Sequence, residues 1–147
     1  MFASFITVVS ALAASVAALP TAVQSREVYA TWKATNFQEG CSPGGCIASF
    51  NITAPAGYVK DAPAFNVACH PIYIQQGWLE CDTIGEAAAG SSVESMWTGA
   101  EERENIKISV SHIWSQGEAR YNASGNVEFP ATTTSFEVPV TLITAVL

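Results

Sequence analysis

Asn105-Ile106-Lys107-Ile108-Ser109-Val110-Ser111-His112-Ile113-Trp114-Ser115 is the stretch that decides the fold class. Ile106, Ile108, Val110, His112 and Trp114 recur at every second position, opposite Lys107, Ser109 and Ser111. That is the period of a strand with one buried and one wet face. Working outward, Val28, Ala30, Trp32 and Ala34 share one face of a segment from Glu27 to Phe37. Ala48, Phe50, Ile52 and Ala54 alternate with Ser49, Asn51 and Thr53 until Pro55 and Gly57 stop the run. Phe65, Val67 and Cys69 form another inward set, followed by runs at Ile72 to Gln75, Trp78 to Cys81 and Val93 to Trp97. Gly99 to Asn105 reads as a solvated acidic loop. Tyr121 on one side and Val127 and Phe129 on the other flank Ser124-Gly125-Asn126, which reads as a hairpin turn. A last strand alternates Phe136, Val138, Val140, Leu142, Thr144 and Val146, and Pro139 within it argues for an edge position or a bulge. No segment carries a helical stripe. The expectation is an all-β domain: a single compact, disulfide-stabilised antiparallel β-barrel or sandwich of about eight or nine short strands, between which periodicity does not choose.

The first residues set the expected compartment. Phe5 to Ala18 is uncharged and almost wholly apolar, broken only by Thr7, Ser10 and Ser15, and it ends in Val16-Ala17-Ala18. Residues 1–18 therefore read as a secretory signal peptide cleaved after Ala18, although no basic residue precedes Arg26. At about fourteen residues the run is shorter than the roughly 18–20 needed to span a bilayer. Residues 19–147 are expected to form one secreted, extracellular domain with no membrane segment in the mature form. Six Lys and Arg against thirteen Asp and Glu give a net charge of −7, which repels phosphates and anionic lipid and excludes nucleic acid as a partner.

Four cysteines in an oxidising compartment imply two disulfides, with three possible pairings. Short separation favours Cys41 with Cys46, around the turn Ser42-Pro43-Gly44-Gly45, and Cys69 with Cys81. Their spacing is not that of a zinc site, so no metal is expected. Asn51-Ile52-Thr53 and Asn122-Ala123-Ser124 are glycosylation sequons, which makes Asn51 and Asn122 the candidate glycan carriers.

Chemistry-bearing groups are few. His70 and His112 are the only histidines. Ser109 and Ser111 lie on the strand face opposite His112 and form no dyad with it, so His112 reads as a core histidine satisfied by one or two hydrogen bonds. His70, between Cys69 and Pro71, reads as a turn residue. Glu80 and Asp82 are expected to point outward, and Glu101, Glu102 and Glu104 to belong to a solvated loop. Neither set makes the facing carboxyl pair that glycosidase chemistry requires. No catalytic residue and no cofactor is expected. Among Trp32, Trp78, Trp97 and Trp114, core packing accounts for most. Trp78 and Trp97, each at a strand end beside a glycine-containing loop, are the candidate binding residues.

The succession Trp32-x4-Phe37, Ser49-Phe50-Asn51-Ile52-Thr53-Ala54, Phe65-x-Val67-x-Cys69 and Trp78-x2-Cys81 resembles the small secreted fungal proteins related to the major allergen of Alternaria. The resemblance covers residues 32–81, about half of the mature chain. It implies a compact β-barrel and a life as allergen, elicitor of plant defence or virulence factor that engages plant defence proteins. It also implies that Cys69 and Cys81 form the family's first intrachain disulfide. A cysteine near the mature N-terminus, which makes the type member a covalent dimer, has no counterpart here, so a covalent dimer is not expected; the family's C-terminal disulfide is replaced by the Cys41, Cys46 pair. The functional expectation is a non-enzymatic fungal effector or elicitor that binds a host protein or small ligand. A carbohydrate- or cell-wall-binding module is the alternative, and a hydrolase using His70, His112 or Glu80 comes third.

Overall fold

The computed structural model describes residues 26–73, 77–99 and 105–147; the leader and the run Glu101, Glu102 and Glu104 lie outside the described residues. Two five-stranded antiparallel sheets face each other. One runs β5 (Asp82–Thr83), β3 (Phe65–Cys69), β2 (Gly45–Ala54), β1 (Ala30–Ser42), β9 (Phe136–Val140). The other runs β10 (Leu142–Val146), β8 (Ala119–Pro130), β7 (Asn105–Gln116), β6 (Ser92–Trp97), β4 (Leu79–Glu80). The all-β expectation holds, and the architecture is a sandwich, its sheets not closed into a barrel.

Strands that change sheet hold the layers together. β4 lies at the edge of one sheet and β5 at the edge of the other, with Cys81 alone between them. β9 and β10 are related in the same way through Thr141 at the opposite flank. This crossing overturns the uninterrupted alternation expected from Phe136 onward. Phe136, Val138 and Val140 are buried, whereas Leu142 and Val146 are 56% and 67% exposed and Ile143 packs on the core. Thr141 is a single residue inserted at the crossing, and with a period of two it reverses which side chains point inward. Pro139 sits on β9, an edge strand that pairs only with β1, one of the two placements expected for it.

The hairpin expected at Ser124-Gly125-Asn126 is absent. β8 runs straight through it, paired with β7 from Ala119 opposite Gln116 to Pro130 opposite Asn105, and the chain reverses at Gly117-Glu118. Gly125 serves a different need. A Cβ there would overlap the Pro139 carbonyl and come within 3.1 Å of Val138 Cγ1, so glycine lets β9 cross directly over β8.

One cluster of apolar side chains fills the space between the sheets. Ile106, Ile108, Val110, His112 and Trp114 all point into it from β7. On β1, Asn36 takes a left-handed φ of 56° at a register shift between Thr35 and Gln38. This bulge turns Phe37 inward after Ala34, where strict alternation would leave it outside. Phe37, Phe50, Phe129 and Phe136 then pack edge-to-face and stacked, with Phe129 and Phe136 centroids 4.2 Å apart.

Both cysteine pairs form as short separation favoured, Cys41 with Cys46 and Cys69 with Cys81. The second is buried and ties β3 to the crossing between β4 and β5. Among the described residues no helix is long and apolar enough to cross a membrane.

Candidate functional site

Past Phe37, alternation places Glu39 and Cys41 on the same side of β1, beyond the edge of the packed core. Ser42-Pro43-Gly44-Gly45 reverses the chain, and Cys41 and Cys46 face each other across the ladder as disulfide partners. Underneath, Ile72 bridges to Ile47 of β2 and Tyr73 to Trp97 of β6, so this short segment spans the gap between the sheets. The Tyr73 N–H donates to the Cys46 carbonyl at 3.0 Å. Its ring stands edge-on to Trp97, with centroids 5.1 Å apart and planes 66° apart.

Hairpin, spanning segment and sheet ends enclose a cavity of about 200 Å³ walled by Tyr73, Trp97, Ile106 and the Cys41–Cys46 disulfide, with Glu39 and Asn105 also lining it. Glu39 is the one charged side chain among its described lining residues. Trp97 is only 5% exposed, and its indole N–H is a buried donor without a hydrogen-bond partner. The two tryptophans singled out by sequence therefore part company. Trp97 is an inner wall of this cavity, while Trp78 lies beside β4 with 41% of its surface exposed. Sequence reasoning missed Glu39 and Tyr73. No local signal marked Glu39: uninterrupted alternation from Trp32 and Ala34 puts it on the wet face, and only the bulge at Asn36 brings it into the register of Phe37 and Cys41.

His112 is fully buried and engages both ring nitrogens. Tyr58 Oη lies 2.7 Å from Nδ1 and Ser91 Oγ 2.8 Å from Nε2. Each hydroxyl can donate or accept, so either neutral tautomer is satisfied. Phe65 and Trp114 cover the ring, at centroid distances of 4.6 and 5.0 Å. Burial pulls its pKa down to about 4, which keeps the imidazole neutral near pH 7 and makes it a weak base. The same burial pushes the Tyr58 phenol far above its usual range. This is the core histidine expected, and it ties the segments carrying Tyr58 and Ser91 to β7. Ser109 and Ser111 are on the other face, where they donate to Asn126 and Asn122.

The remaining candidates lie apart. His70 is exposed, with Nε2 3.8 Å from Asp82 Oδ2. Glu80 faces Glu94 directly across β4 and β6 on the outer face, and burial, followed by the Glu80 charge, raises the Glu94 pKa. Asn51 and Asn122 sit in strands on the outer faces of opposite sheets, each half-buried. Asn122 is in mid-strand, not beside a turn. Among the described residues no group of three or more His, Cys, Asp and Glu is placed to hold a metal. Compared with known proteins, the chain matches no family model, no curated protein and no solved structure.

Proposed function

We propose that this chain is a secreted binding protein of the fungal allergen-like kind, an effector or elicitor that engages a host protein or small ligand without turning over a substrate. The cavity beneath the Cys41–Cys46 hairpin carries the reading. It is concave and walled by two aromatic rings, Glu39 is the one carboxylate on its described lining, and a disulfide braces its rim. The aromatic and cysteine spacing of residues 32–81 supports the same reading through its likeness to the Alternaria-related proteins. So does the commitment of both His112 nitrogens to holding the core.

Infiltrating the oxidised protein into leaf tissue, beside a reduced and heat-unfolded sample, tests this. An oxidative burst and cell death confined to the folded sample are expected. An equal response to the unfolded sample, or none at micromolar folded protein, removes the effector reading.

Trp78 supports a second reading, a carbohydrate-binding surface. It is an exposed indole beside a sheet face bearing Ser, Asn and Glu side chains. Trp32, Trp97 and Trp114 are buried, so no second tryptophan accompanies it among the described residues. Retention of the protein, but not of Trp78→Ala, on insoluble chitin, glucan or cellulose would favour this reading over the first.

A further inference from the structure

We infer that the hairpin-end cavity is a site for a small aromatic amine, bound as its cation with the ring against Tyr73 and Trp97 and the ammonium group toward Glu39. The inference rests on the reading of the chain as a binding protein and names the class of ligand. Size comes first. About 200 Å³ accommodates a molecule of roughly ten non-hydrogen atoms, below the usual range for drug-sized ligands. Shape comes next: the Tyr73 and Trp97 rings, 66° apart, form an aromatic corner, and Ile106 and the Cys41–Cys46 disulfide complete apolar walls.

Charge decides the class. Glu39 is the one acidic side chain on the described lining, and no Lys, Arg or His accompanies it there. The whole chain carries −7, so the surrounding field attracts cations and repels carboxylates. Aromatic faces attract cations as well through their negative quadrupoles. A flat ring bearing an ammonium group meets all three features, whereas an aromatic acid of the same size meets only the walls. The disulfide fixes the distance between the strand that carries Glu39 and the segment that carries Tyr73, through the Tyr73 N–H bond to Cys46.

The test is calorimetric titration of the full, oxidised protein, recovered from a secreting host, with three probes that share a ring: tryptamine, indole and indole-3-acetate. Tryptamine should bind about fivefold or more tightly than indole, the size expected for one partly solvated charge pair, and indole-3-acetate should bind weakest. Glu39→Gln, an isosteric change at an exposed position, should bring tryptamine down to the level of indole. Tyr73→Leu, which keeps bulk but removes the ring, should weaken both probes together. Equal binding of all three, an unchanged tryptamine preference in Glu39→Gln, or binding of none at millimolar concentration overturns the inference. Leaf infiltration separates the two levels. A folded protein that elicits a response but shows no amine preference retains the binding-protein reading and loses this one. A protein that prefers tryptamine but elicits nothing retains the site and loses the effector role.

Discussion

Protonation of His112 makes the stability of this protein fall as pH is lowered from neutral to about 4. In the unfolded chain the imidazole titrates near 6.5, and in the core burial holds it near 4. Between those values the unfolded state binds the extra proton and the native state does not, so unfolding is favoured as pH falls. The full stabilising effect is present above about 6.5 and is lost progressively as pH falls toward the folded value. The gap of about 2.5 pKa units corresponds to about 3 kcal/mol, a large share of the 5–15 kcal/mol that holds a typical domain together. Tyr58 and Ser91, its two hydrogen-bond partners, are hydroxyls that carry no charge in this range, and burial of Tyr58 only raises its phenol further. The assay is urea unfolding followed by tryptophan fluorescence from pH 7.5 to 4.0, on the wild type and His112→Gln. The variant loses hydrogen bonds and should be less stable by about 1–3 kcal/mol at pH 7.5. That deficit should close, or reverse, by pH 4.0. Exposed carboxylates are common to both proteins and cancel in the difference. Parallel pH profiles for the two would refute the assignment of a buried, neutral, proton-resisting imidazole.

Gly125→Ala should destabilise by about 3 kcal/mol or more, because the new methyl meets the Pro139 carbonyl, a backbone group that cannot swing aside; a sharply lowered urea midpoint or loss of soluble secreted protein checks this. Glu80→Gln should stabilise by about 0.3 kcal/mol at pH 7, a figure kept small by solvent screening, by relieving its facing Glu94. The raised Glu94 pKa means that its stabilising effect is present at acid pH and lost as pH rises through the folded value. Glu80→Gln should shift that loss to lower pH in a carboxyl-carbon NMR titration. Replacing both Cys69 and Cys81 by Ser should cost about 3 kcal/mol, against about 2 for Cys41 and Cys46, since the loop closed is longer. Thermal unfolding of the two double variants would show the order, and a reversed order would contradict it.

The strand at Asn105 to Gln116 was readable because it is long, central and paired on both sides, so one buried face imposes its period over twelve residues. The cysteine pairs were readable because each encloses a short loop that returns on itself. Where the reading failed, a contact distant in sequence had replaced a local rule. Ser-Gly-Asn carries turn residues, yet its glycine answers to Pro139, fourteen positions later, and the strand continues. Leu142 and Val146 continue an apolar alternation, yet the chain has changed sheets at Thr141 and they face solvent. Trp97 was singled out from its place at a strand end, but its partner ring Tyr73 comes from a separate segment that only the fold brings beside it.

By itself, the sequence determined the all-β class, the identity of the principal strands, the inward face of β7 with its core histidine, and the disulfide pairs favoured by spacing. Each of these depends on periodicity or short separation, which the order of residues records directly. Only the tertiary structure decided sandwich over barrel, the partners of His112, and the meeting of Glu39, Tyr73 and Trp97 around one cavity. Those three residues come from β1, from the span between the sheets and from β6. What brings them together is strand order and the crossing of the chain between layers, which no local pattern of side chains encodes.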